Sequence, residues 1–420
     1  MINKRCFRQV LAFCLILFFP FNNTISGSIL FGGLNPYVFL AAGFFLLVPD
    51  IKKKFSRKTM LLIIAEVVMI ILALLNIQLS AEMGYITIQL AYLLLLPILI
   101  DADIDERAVT IAITIFAIEH ILGTLFPILL PGLYENSFLS FVCKSSTSYC
   151  PARIAFESGM NAGITKQSST NGCYMAIFAL FFTSKLINKP SRGNSILAII
   201  TIACLLIIGK RAHFLFTIIS LFIVYITKKD NFSPINIIKN NIKIIIVGTI
   251  SLFGIIAFSN IMPQIGTTLD RIAASRDSND VTSRREPLYE LAVEKWEEAP
   301  FFGNGWGAYT FASHEKFGVA TYGSDYMHAH NDYLELLCDI GIIGTIMYSA
   351  ILVWIIRGTY RIRNGGYFQK FSFAYMIFFV LYGLTGTPLY IISTFVFLLV
   401  TIIIKEKGIK KDEKNRRDNV

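Results

Sequence analysis

Charge is what this sequence has least of. Asp, Glu, Lys and Arg together make up 16% of its 420 residues, where soluble domains carry about 25%. With a mean hydropathy of +0.61, the chain lacks the polar residues needed to cover a water-facing surface. That excludes the two or three soluble domains its length would otherwise permit. A cysteine framework is missing too. Of seven cysteines, Cys6, Cys14, Cys173, Cys204 and Cys338 fall in or beside apolar runs and read as small packing residues. Cys143 and Cys150 instead share a polar loop, where a disulfide and two free thiols are both open readings. No internal repeat or low-complexity tract occurs. The formal charge of +10 does not indicate nucleic-acid binding, because no groove pattern of basic and aromatic residues accompanies it.

What is present in abundance is apolar sequence in blocks of roughly 15 to 22 residues, the length needed to cross a ~30 Å hydrocarbon core. The blocks lie near 9–21, 35–49, 59–79, 85–100, 109–130, 170–186, 195–209, 212–227, 244–261, 333–356, 371–388 and 390–404. At such lengths, without a barrel's alternation, only helices satisfy their own backbone in lipid. The sequence therefore predicts an all-α polytopic membrane protein of about twelve helices. Lys4, Arg5 and Arg8 before the first block resemble the start of a signal peptide, but no convincing cleavage site follows, and the block reads as a retained helix. With both termini placed in the cytoplasm, inside segments hold 27 of the 38 Lys and Arg residues, and outside segments hold 11. The short loops are one-sided, as the positive-inside rule requires.

This topology divides the chain into helices 1–9 over residues 1–261, with an outside loop near 131–169. A large extracytoplasmic loop follows over 262–332, between helices 9 and 10. Helices 10–12 occupy 333–404, and a basic cytoplasmic tail covers 405–420. Within the large loop, Leu288, Leu291, Ala292 and Trp296 are spaced like one helix face. Pro287 suits a first turn, and Pro300 with the glycines of FFGNGWG ends the helix.

Three polar clusters stand at the outside surface. His328, His330 and Asn331 lead into the tenth helix, where Asp332, Glu335 and Asp339 recur at spacings of three and four and so share a face. Asp339 lies about seven residues in, a depth at which ionisable groups face protein or a wet cavity. Gly341 and Gly344 permit close helix approach. On spacing alone the acids and Asn331 also fit helix caps or lysine partners, and His328, His330 and Asp332 fit a weak metal site; the reading adopted has no metal. Arg284 and Arg285 open the loop helix, as a phosphate-binding pair or as a solvated pair balanced by nearby acids. Lys210 and Arg211 occupy a tight outside turn, against the positive-inside trend. Glu66, Glu119 and His120, inside apolar blocks, read as interhelical hydrogen-bonding groups.

Residues 330–344 read His-Asn, nine residues, then Gly-x-x-Gly, a pattern that resembles the signature of the O-antigen ligase and polymerase superfamily. SRREPLYELAVEKWEEAPFFGNGWGAY at 283–309 resembles that family's arginine, short helix and glycine-rich turn. GKRAHFLF at 209–216 resembles its turn arginine. The resemblance implies a GT-C-like fold and matches His330 to the essential histidine, Arg285 to the loop arginine and Arg211 to the turn arginine. Arg284 and Lys210 stand where small residues are common, which leaves the assignment between Arg284 and Arg285 open. It further implies a cofactor-free, metal-independent glycosyltransferase in the bacterial inner membrane, working on the periplasmic side. Its donor would be a glycan on undecaprenyl diphosphate, and its acceptor a hydroxyl of lipid A–core (ligase) or of another glycan (polymerase), in lipopolysaccharide biosynthesis. His330 would be the base and Arg211 and Arg285 the leaving-group stabilisers. Substrate contacts would come from Arg284, Lys210, Asn331, His328, Asp332 and Glu335. The expectation leans to the ligase. A lipid-linked glycan transporter or flippase is the competing class, against which the two halves of the chain show no internal symmetry.

Overall fold

A computed structural model describes residues 3–26, 36–51, 60, 83–143, 150–227, 285–322 and 327–418. Among these the chain is helical, with no strand. In order the principal helices are α1 (Lys4–Ser26), α2 (Pro36–Leu47), α3 (Met83–Asp101), α4 (Glu106–Leu129), α5 (Pro151–Glu157), α6 (Ser168–Asn188) and α7 (Arg192–Ile207). There follow α8 (Arg211–Ile226), α9 (Glu286–Glu298), α10 (Ala308–Tyr322), α11 (Asp332–Ile362), α12 (Tyr367–Gly383) and α13 (Ile392–Asp418). By length and hydropathy, α4, α6, α11 and the Lys4–Asn22 part of α1 qualify as membrane spans, and α7 and α8 are shorter apolar helices. The predicted segments 59–79 and 244–261 fall outside the described residues apart from Met60, as do Glu66 and Arg284. The predicted helix over 371–388 ends at Gly383, and the next begins at Ile392. The cause is tertiary, since outside partners take up backbone groups of the 384–391 segment, as described below. The segment from 405, predicted as a tail, continues α13 as helix to Asp418.

Contacts group the chain into two units. One draws on Met1–Phe116, Arg284–Ile362 and Phe379–Val420. At one end of it, Asp50 accepts from Arg5 Nε and Arg8 Nη2, both at 2.9 Å. Lys407 Nζ donates to the Ala102 carbonyl at 2.7 Å, and Lys410 lies 2.9 Å from Asp101. Arg361 on α11 meets Asp412 on α13 at 3.2 Å. The segments read as inside from their charge thus meet at the same end of this unit.

The other unit comprises Ala117–Ser283 and Arg363–Phe378. Here α6 packs against α7 and α8. His120 on α4 sets its ring edge-on to Tyr174 of α6, with centroids 4.7 Å apart. The described parts of the predicted outside loop are held by a buried network. Asn161 Nδ2 donates to the Thr124 carbonyl at 2.7 Å, Asn171 Nδ2 to Thr124 Oγ1 at 3.1 Å, and the Tyr134 hydroxyl to the Gly163 carbonyl at 2.8 Å. Cys143 and Cys150 form a disulfide. Lys370 Nζ reaches Asn188 Oδ1 at 3.2 Å, and Arg363 Nε reaches the Thr227 carbonyl at 3.0 Å.

The feature that shapes the first unit is a break inside α11. Gly341 has φ +64° and ψ −174°. The backbone groups freed there bond to the turn between α9 and α10. Asn304 and Gly305 N–H donate to the Cys338 and Asp339 carbonyls, both at 2.9 Å. Ile342 and Ile343 N–H donate to Pro300 and Phe301 at 2.9 and 3.2 Å. The crossing is so close that a Cβ at Gly303 would overlap the Asp339 carbonyl group, and one at Gly341 would overlap that of Phe301. The sequence read Gly341 as permitting helix–helix approach; what approaches is the irregular turn. Replacing Gly303, also at positive φ, with Ala should therefore cost at least about 2 kcal/mol. Thermal unfolding in detergent should show a clear fall in Tm, whereas Gly193→Ala, where a Cβ meets nothing within 4 Å, should leave it within error.

Candidate functional site

Helix α9 forms as its pattern predicts, with Leu288, Leu291 and Ala292 buried and Trp296 donating from Nε1 to the Pro300 carbonyl at 3.1 Å. Its inner face joins Ala308, Tyr309 and Ala312 of α10, Ala329, and Cys338 of α11 in one apolar cluster. The Tyr309 hydroxyl donates to the Leu288 carbonyl at 3.0 Å, and Lys316 meets Glu294 across the exposed side. That lysine holds the Glu294 carboxyl below the usual range.

The three acids of α11 share one face, as their spacing requires, and all three are buried. Each is held by groups from elsewhere in the chain. Asp339 accepts from the Gly307 and Tyr309 N–H groups at 2.9 and 3.0 Å and from the Tyr390 hydroxyl at 3.2 Å. It thereby caps α10, placing negative charge at a helix N-terminus. Glu335 receives the Ala329 N–H at 2.9 Å, and its other oxygen lies 2.7 Å from His328 Nδ1. Asp332 Oδ2 accepts the Leu389 N–H at 3.0 Å, while its buried Oδ1 has no hydrogen-bond partner.

These clamps fix the segment that carries His330. Ser313 Oγ accepts the Met327 N–H at 3.1 Å. Ala329 is fully buried, and its N–H is held by Glu335. Asn331 caps α11, its Oδ1 accepting the Tyr333 and Leu334 N–H groups at 3.0 and 3.2 Å. Between them His330 has φ +53°, the one positive φ at a non-glycine among the described residues. A side chain in the left-handed region persists where its surroundings over-determine it. Asn331, expected to contact substrate, is here a helix cap. Glu335, expected to contact substrate, binds His328 and the backbone entering His330.

Arg285 stands at the start of α9 and donates from Nη1 to the Thr385 carbonyl. That uses one of the five donors a guanidinium carries. Thr385 belongs to the segment between α12 and α13 that also supplies Leu389 to Asp332 and Tyr390 to Asp339. The Tyr390 ring lies 5.1 Å from that of His328 and 5.6 Å from that of Trp306. The sequence pointed to none of Thr385, Leu389, Tyr390 or Trp306. The TGTPLY turn chemistry at 385–390 was the available signal.

In the other unit, Lys210 and Arg211 sit at a tight turn as predicted. Gly209 has φ +79°, Lys210 precedes α8 and Arg211 opens it, both half-buried. A cation in the first turn opposes the helix dipole, and an anion bound there would remove that penalty. His213, two residues on, is buried with Nε2 3.2 Å from Cys173 Sγ. Among the described residues no group of three or more His, Cys, Asp or Glu could hold a metal ion.

The Glu335 clamp is testable. Glu335→Leu removes both carboxylate oxygens, so the buried Ala329 N–H loses its partner whatever the tautomer of His328. Leaving such a buried group unmet costs about 1–3 kcal/mol, and unfolding of the purified variant should show a destabilisation of that size.

No curated protein matches the chain. Residues 196–349 match a family model described as O-antigen ligase. That stretch, which is similar to the O-antigen ligase model, holds Lys210, Arg211, Arg285, His330, Gly341 and Gly344 together.

Proposed function

We propose that this protein transfers a glycan from an undecaprenyl-diphosphate carrier to an acceptor hydroxyl outside the cytoplasm, as an O-antigen ligase acting on lipid A–core. The observation that carries the reading is His330, which matches the signature histidine and is held in a left-handed conformation by clamps on both sides. In the reaction proposed, the acceptor oxygen bonds to the anomeric carbon of the donor sugar as the bond from that carbon to the phosphate oxygen breaks. The hydroxyl proton passes to His330, whose ordinary pKa of about 6.5 suits a base near neutral pH. The diphosphate leaves with the electron pair, and guanidinium groups stabilise it in place of a metal ion. Arg285 and Arg211 serve as those groups, with Arg284 and Lys210 adding charge. His328, Asn331, Asp332 and Glu335 shape the acceptor side.

A base of this kind contributes about 10²–10⁴-fold. His330→Ala should therefore lose at least about a hundredfold in transfer by purified protein in lipid vesicles while keeping its Tm; full activity would rule out the role of His330. In a gene-deletion strain, a ligase predicts long glycan accumulating on the lipid carrier with lipid A–core left bare. Single repeat units still reaching lipid A–core would instead identify a repeat-unit polymerase. No change in either pool would favour a transporter.

A further inference from the structure

The break at Gly341 divides α11 into two parts of different character. Residues 332–340 carry the three buried acids, whose partners are loop groups. From Ile342 the sequence is apolar as far as Ile356, before Arg357. The apolar stretch from Ile342 to Ile356 covers about 22 Å at ~1.5 Å per residue. The break at Gly341 thus separates the acid-bearing turns from this apolar stretch.

The glycine-rich turn crosses α11 at that same level, and it carries two large apolar side chains outward. Phe301 and Phe302 are 64% and 79% exposed. They adjoin Ile342 and Ile343 through the Ile342–Pro300 and Ile343–Phe301 backbone bonds. Below them the exposed apolar surface continues along α11 through Ile346 and Met347. The solvent side of α9 is of opposite character, presenting Glu286, Glu290, Glu294 and Glu297 around Val293. An exposed aromatic pair that continues the apolar surface of a spanning helix marks contact with lipid.

We infer that Phe301 and Phe302 are an interfacial anchor. The two rings sit in the headgroup–acyl boundary of the leaflet on the side of the 285–340 segment, and they hold the glycine-rich turn at the height of Gly341. Because the turn is bonded to Cys338 and Asp339 of α11, the anchor also sets the height of the acid-bearing segment above the membrane.

The test is a nitroxide label on Phe302→Cys, with Phe301→Cys as a second site and Val293→Cys as a water-exposed reference. The full-length protein is placed in vesicles of phosphatidylethanolamine and phosphatidylglycerol that contain no polyprenyl lipid. At 301 and 302, collisions with oxygen should exceed those with a water-soluble nickel complex, while 293 shows the reverse. Nickel access at 302 equal to that at 293 would overturn the anchor. Shielding from both reagents would also overturn it, because protein would then be covering the rings. Since the vesicles lack any polyprenyl chain, oxygen-selective access reports the bilayer and not a bound carrier.

Discussion

The buried carboxylate of Asp339 is the interaction on which the rest of the first unit turns. It sits one residue before Ile340 and two before the glycine that breaks α11, and it satisfies the N-terminus of α10 across the glycine-rich turn. The freed backbone of α11 in turn satisfies that turn. Broken helix, turn and capped helix complete one another's hydrogen bonding, so none of the three is self-sufficient. In a setting where an unmet polar group is costly, this mutual completion lets irregular chain persist beside a spanning helix.

Charge is handled in the same way throughout the candidate site. Asp332, Glu335 and Asp339 are buried close together, yet the partners described for them are N–H groups, a hydroxyl and an imidazole, with no lysine or arginine among them. The guanidinium at the site, Arg285, has its described bond to a backbone carbonyl. Among the bonds described, acid and cation are thus kept on separate partners.

Much of this was legible in sequence because it depends on periodicity. The buried face of α9 and the common face of the three acids follow from a 3.6-residue repeat. The four helices long and apolar enough to span a membrane among the described residues lie in blocks that hydropathy marks. What could not be read depends on backbone groups that every residue possesses. Leu389 contributes an N–H and Thr385 a carbonyl, so neither residue type advertises its role. The end of α12 at Gly383 had a local signal in Gly386 and Pro388, but the bonds that hold the segment after it come from residues about 50 to 100 positions away. The left-handed backbone of His330 was equally hidden, because it is imposed by Ala329 and Asn331, not by the histidine itself.

The placement of the 384–391 segment has a consequence for how the molecule comes into being. The acids of α11 and the histidine segment before it leave the ribosome well before Leu389 and Tyr390 do. During that interval Asp332 and Asp339 lack the N–H and hydroxyl that later hold them, and Arg285 lacks its carbonyl. Completion of these bonds therefore waits on the 384–391 segment, and a chain arrested before it would leave Asp332 and Asp339 short of the partners that hold them.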